Sequence, residues 1–425
     1  MSRSAVALGL IRFSGLALAV LMNVAAARLL DPAGFGTLVF LLSLVTLLSS
    51  ISSGGLTSLL TRDVANASTI GAATTGATTS SASPVFLWVT LTSLALAALF
   101  LLVSTLGLVP RVPTGYASFA VGVALLGLGL LNVLSGIWRG LGSPAAGDMP
   151  IAVVIPAVFL AVVLGLSIAT AELSVMLFFA AYVGAIWAAA AGSVMLLRRR
   201  GPSIRMLLGG LKQPLSRRWF SGFWPFLSLA VVGALTTQLG TLMVGLVADE
   251  TSTAFFRVAE RMAVLVSLPL VVLNAVIASG VVRSHAAGDT TTLMTLVRRA
   301  RRVALAGALP LGLVMIVFGD EIIGVMFGPE YVDGARIPLI ILVLGQWINV
   351  ACGSVGLVLS MCGHEKTVLR EQTLALGIAG VSLPPVILVA GVTGASVVMA
   401  VALALWNLRL LGAMRRQLMP RAQAS

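Results

Sequence analysis

The sequence predicts an all-α integral membrane protein that crosses the bilayer twelve times, and three observations carry that prediction. The chain is 59% hydrophobic and only 10% charged, with a mean hydropathy of +1.08, whereas a soluble domain carries about 25% charged residues. Uncharged runs long enough to cross a hydrocarbon core of roughly 30 Å recur from one end of the chain to the other. Most of the basic residues fall in alternate connectors between those runs. A net charge of +13 would point a soluble protein toward nucleic acid. Here no basic domain or aromatic platform accompanies it, so the expected partner is the lipid bilayer and no nucleic acid.

In order, the runs occupy about 5–27, 36–60, 84–109, 116–137, 149–171, 173–197, 220–247, 252–282, 303–319, 337–362, 372–391 and 395–413. The first is too long for the apolar core of a cleavable signal, and Arg28 stands where small residues would be needed. The last two come from one uncharged stretch, Gln372 to Leu408, which Gly391-Val392-Thr393-Gly394 divides with a turn. Pro225, Pro269, Pro310 and Pro384-Pro385 lie in or at the mouths of spans, where neighbouring helices can satisfy the freed carbonyls.

An even number of spans puts both termini on one side, and the excess of Lys and Arg assigns that side to the cytoplasm. Of 27 basic residues, 21 fall inside on this topology and only Arg28, Arg111 and Arg336 outside. The segment Arg198–Arg218 is basic, carries Gly and Pro, and divides six spans from six. It suits an anionic leaflet surface. The expected organisation is an N-terminal six-helix lobe (1–197), a cytoplasmic linker (198–219) and a C-terminal six-helix lobe (220–425). Asp63–Ser83, rich in Thr, Ser, Ala and Gly, reads as a flexible loop. A faint echo links the halves: Leu30-Asp31-Pro32 precedes span two and Ala248-Asp249-Glu250 precedes span eight.

Three arginines fall inside spans. Phe13 to Ala27 is too short to cross alone, so Arg12 must sit within the inner half of the hydrocarbon, facing protein or water. Its face continues through Gly15, Ala19, Asn23 and Ala26, which suits either close packing or a cavity wall. Thr251–His285 reads as one long helix with Arg257, Glu260, Arg261, Ser267 and Asn274 on one side. That stripe could line a path for an anion, or the two arginines could snorkel outward. Glu260 can pair with either arginine, leaving net positive charge. Gln238, Asn274, Gln346 and Asn349 add amides that could meet a polar solute or bond helix to helix. Cys352 and Cys362, about 15 Å apart along a helix, cannot pair with each other as they stand. No cluster suits a metal, a cofactor or covalent catalysis, and no phosphate loop points to ATP. An enzyme is not expected.

The stretches Ala254–Ala263, Ser267–Val276 and Arg283–Asp289, together with Gly345-Gln346-Trp347-Ile348-Asn349 and Met361-Cys362-Gly363-His364-Glu365, resemble those of bacterial polysaccharide flippases. Ala27–Gly36 resembles the start of the same family more loosely. These are the O-antigen and exopolysaccharide exporters of the multidrug/oligosaccharidyl-lipid/polysaccharide superfamily. The resemblance implies two six-helix lobes around a central cavity that opens alternately to each side. It also implies a lipid-linked oligosaccharide substrate, typically on undecaprenyl diphosphate, and polysaccharide polymerase or glycosyltransferases as partners. A cationic cavity of Arg12, Arg257 and Arg261 would hold the diphosphate, with Asn23, Glu260, Asn274, Gln346 and Asn349 beside it. Trp138, Trp187, Trp224 and Trp347 would meet sugars. Span two carries no charge before Arg62, unlike the most basic such cavities. The alternatives are a cation-coupled multidrug exporter, for which Glu260 is the candidate carboxylate, and a non-transporting membrane scaffold.

Overall fold

The computed structural model describes residues 3–69, 79–106, 116–169, 173–200 and 217–418, and among them the chain is helical without strands. It divides into two compact units, Met1–Gln238 and Leu239–Ser425. The boundary falls within one helix, α9 (Arg217–Val247). Most of the expected linker 198–219 lies outside the described residues. Ten of the described helices are long and apolar enough to cross a membrane, and α1 (Arg3–Leu29) adds the shorter apolar run Ser14–Leu29. Large apolar side chains cover the outer surface, among them Ile168 and Val389 at 89% exposure. Hydrocarbon is the solvent that tolerates such a surface.

In the first unit, Asp31 caps α2 (Pro32–Ser53) by accepting from the Gly34 amide at 3.2 Å. The expected single span 36–60 is broken: Gly54 and Gly55 take φ of 53° and 70°, and the Gly54 amide closes α2 on the Ser50 carbonyl. A new helix, α3 (Leu56–Thr69), restarts with Leu56, Leu59, Leu60 and Val64 on one buried face. That apolar periodicity explains why Asp63–Ser83 is not wholly a loop. Residues 63–69 finish α3 and 79–83 begin α4 (Thr79–Thr105), while 70–78 lie outside the described residues.

Helix α5 (Tyr116–Gly140) packs against α2, α3, α4 and α8 (Val175–Arg200). Hydroxyls tie this group where no water competes: Ser52 meets Ser93 at 2.5 Å and the Val89 carbonyl at 3.2 Å, and Asn132 donates to Ser49 at 3.2 Å. The expected span 149–171 begins earlier, with α6 (Pro144–Met149) running through a π turn at Pro150–Val154 into α7 (Ile155–Ala169).

In the second unit, the long helix expected over Thr251–His285 is two: α10 (Glu250–Leu265) and α11 (Leu268–Ala286). Pro269 has no amide to return to Leu265, so the chain tightens. The amides of Val266 and Ser267 bond the carbonyls of Ala263 and Val264, three residues back. Next come α12 (Thr290–Val317), α13 (Gly319–Met326) and α14 (Val332–Cys352). Span ten is also broken: α14 ends at Gly353, with φ of 76°, and α15 (Val355–Met361) follows. The last helix, α16 (Glu365–Leu418), reverses at Gly391, where φ 55° and ψ −140° suit a residue without a Cβ. Contacts nearly symmetric about that turn prove the hairpin: Arg409 pairs with Glu371, and Gln417 donates to Thr367 at 3.3 Å.

Candidate functional site: buried arginines on α10

Helix α10 is anchored by Asp249, whose side chain accepts from the Ser252 amide at 2.5 Å. One face, with Thr253, Ala254, Phe256, Val258 and Ala259, is fully packed, and Arg257 lies among these residues at 5% exposure. Its Nη1 donates to Glu260 Oε2 at 3.0 Å. Thr241, from α9, donates to the same oxygen at 3.5 Å. Arg261, half-buried, keeps out of this pair. The Nε atoms of Arg257 and Arg261 are both buried with no hydrogen-bond partner among the described residues.

The cluster therefore holds two guanidiniums against one carboxylate. Guanidinium presents its N–H groups as a planar fork that matches phosphate or carboxylate oxygens. A buried cation with unused donors is costly in a membrane, about 2.5–3.5 kcal/mol even on the mild insertion scale. An anionic ligand would supply the missing acceptors.

The other expected site residues distribute as follows. Asn274 is on α11, beyond the break at 266–267, so it does not continue the α10 stripe on a straight helix; its Oδ1 is buried without a partner among the described residues. Gln346 and Asn349, on α14, bond each other at 3.1 Å. Asn23 is 4% exposed and returns its amide to the Ala19 carbonyl at 2.6 Å. The stripe beside it is close-packed: a Cβ at Gly15 would lie 2.8 Å from the Ala152 carbonyl oxygen. Arg12 is on α1, and its side chain lies outside the described residues. Trp347 docks on α12, donating to the Ala308 carbonyl at 3.0 Å, and Trp187 donates to that of Val123 at 3.2 Å. Trp138 is buried, and the side chain of Trp224 lies outside the described residues.

Sequence reasoning missed three ion pairs among the described residues, one of them Arg139–Asp148 at 2.6 Å. Arg336 pairs with Asp320 at 2.9 Å and caps the α12 carbonyl of Ile316 at 2.5 Å. Glu371, placed just outside span eleven, is 8% exposed and holds Arg409. The signal for that pair was available, since both residues stand about equally far from Gly391.

Solved structures share the fold. An inward-facing multidrug resistance MATE family transporter of the MOP superfamily matches with a TM-score of 0.76 at 14% identity, over 99% of each chain. The lipid II flippase MurJ, in an inward closed conformation, matches with a TM-score of 0.73 at 14% identity, over 96% of this chain and 87% of its own. A MOP superfamily transporter from Pyrococcus furiosus gives 0.63 at 15% identity, over 98% and 95%. No curated protein matches the chain. The family model described as polysaccharide biosynthesis protein matches residues 2–281, and the chain belongs to that family.

Proposed function

We propose that this chain is a flippase for lipid-linked oligosaccharide. The substrate rides on undecaprenyl diphosphate and passes from the cytoplasmic to the periplasmic leaflet of a bacterial inner membrane, for polysaccharide biosynthesis. Twelve crossings in two six-helix lobes would alternate access to a central cavity, with both termini cytoplasmic. Glycosyltransferases would supply the cargo and a polymerase would consume it. The observation that carries the reading is the α10 cluster, in a chain of the polysaccharide biosynthesis family. Two buried guanidinium Nε–H donors there lack acceptors among the described residues, and a diphosphate is rich in them. Multidrug export coupled to a cation needs a carboxylate free to exchange that cation. Glu260 is already engaged by Arg257 and Thr241, which supports the saccharide reading.

The test is Arg261→Ala, because Arg261 is outside the ion pair and its loss strands no partner. Losing a charge-assisted contact of about 1.5–3 kcal/mol should lower flipping of lipid-linked oligosaccharide in proteoliposomes by roughly ten- to hundredfold. Arg261→Lys should recover part of it, keeping charge without the fork. Exposed Arg283→Ala is the control. Wild-type flipping by Arg261→Ala at matched reconstitution would overturn the assignment.

A further inference from the structure

A second cationic feature lies in the other part of the Leu239–Ser425 unit, where the start of α12 meets the end of α16. Arg298 and Arg301 on α12 and Arg415 on α16 line a cavity of about 370 Å³. Its floor is apolar, formed by Met294, Leu411 and Met414. Among the described residues no carboxylate lines it. Asp289 caps α12, and its hydrogen bonds from Thr292 hold its carboxyl below the usual range. Glu371 holds Arg409. Among the described residues, none of the three arginines has an ion pair.

The positions of these side chains are built into the fold. Gly353, where α14 ends, takes φ of 76°, and a Cβ there would lie 3.2–3.3 Å from three carbons of the Arg301 stem. The stem therefore lies across the glycine, at the C-terminal end of α14, where a helix dipole favours a cation. Arg298 and Arg415 stay exposed on the two other helices.

We infer that this cavity binds the phosphate headgroup of an anionic phospholipid of the leaflet that the arginine distribution assigns to the cytoplasm. Basic pockets between helices at that membrane face suit such headgroups. The floor and its surroundings select lipid over free phosphate. About two turns deeper on α16, on the face that Arg415 shares, Leu408 is 53% exposed, an apolar surface open to acyl chains. A bound headgroup would join α12 to α16 through charge-assisted bonds to both. The site does not depend on what the protein transports.

The experiment uses the full chain in neutral detergent and reads the unfolding temperature. A short-chain phosphatidylglycerol should raise it by several degrees, since a ligand specific to the folded state stabilises that state. Phosphatidylcholine of the same chain length should not, and inorganic phosphate at the same concentration should give a much smaller shift. Arg298→Gln with Arg415→Gln, both exposed, should remove the phosphatidylglycerol shift without lowering the lipid-free unfolding temperature. Arg283→Gln should leave it unchanged. If the double variant itself unfolds early, retention of phosphatidylglycerol by each single variant, measured by native mass spectrometry, decides: each should retain several-fold less than wild type. An equal shift with phosphatidylcholine, or undiminished retention by both single variants, would overturn the site. An equal shift with inorganic phosphate would reassign it to a soluble anion.

Discussion

Arg257 and Glu260 form one unit, and the chemistry of α10 depends on their not being separable. They stand three residues apart, while Arg261, adjacent to Glu260 in sequence, is turned from it by about 100° and shares the Arg257 face. Charge in an apolar run exposed all three residues to sequence reading, but pairing with either arginine had to be left open until the side chains were placed. The structure commits the carboxylate to Arg257. Glu260→Gln should thus be destabilising by about 3–5 kcal/mol, because it strands a buried guanidinium. The measurement is thermal unfolding in detergent. Adding Arg257→Met to Glu260→Gln should recover most of the loss, and a double variant no more stable than the single would show that the pair does not act as a unit. The amides were harder to read. Asn23 and the pair Gln346–Asn349 satisfy one another or their own helices, and composition does not distinguish such an amide from one that faces a solute.

Helix starts were legible where a polar cap marks them, and helix breaks were not. Asp31 and Asp249, noted in the sequence as an echo between the halves, both cap the helix that follows by accepting an amide three residues on. Both of those helices then break, at Gly54–Gly55 and at Val266–Ser267. A break inside an apolar run involves no change in polarity, so hydropathy passes over it; only Gly pairs and Pro269 hint at it. Asp249→Ala should cost about 1 kcal/mol and lower the unfolding temperature slightly. Asp249→Asn or Asp249→Ser should restore most of it, since each can still accept from the Ser252 amide. Loss of the same size in all three variants would show that the cap contributes nothing.

At the scale of the molecule, alternation of basic and neutral connectors made the all-helical membrane fold legible, because a missed crossing would scramble it. The expected topology puts Gly328 and Gly391 on the periplasmic side and Ser425 in the cytoplasm. Reporters inserted at the two glycines should be active only outside, and one fused after Ser425 only inside. A cytoplasmic signal from Gly328 would overturn the twelve-crossing scheme. Contacts divide the chain within α9, and a continuous helix carries no sign in its sequence of where packing changes partner.

The α16 hairpin bears on the order of synthesis. Glu371 leaves the ribosome almost forty residues before Arg409, the residue that neutralises it. Until Arg409 arrives, the arm that carries Glu371 holds an unmatched acid at the edge of the hydrocarbon, so the two arms are expected to enter the bilayer together, as a closing clasp. A chain stopped after Gly391 should accumulate poorly and be degraded, and Glu371→Gln in that shortened chain should raise its steady-state level. No gain from the substitution would mean that the first arm inserts without its counter-charge.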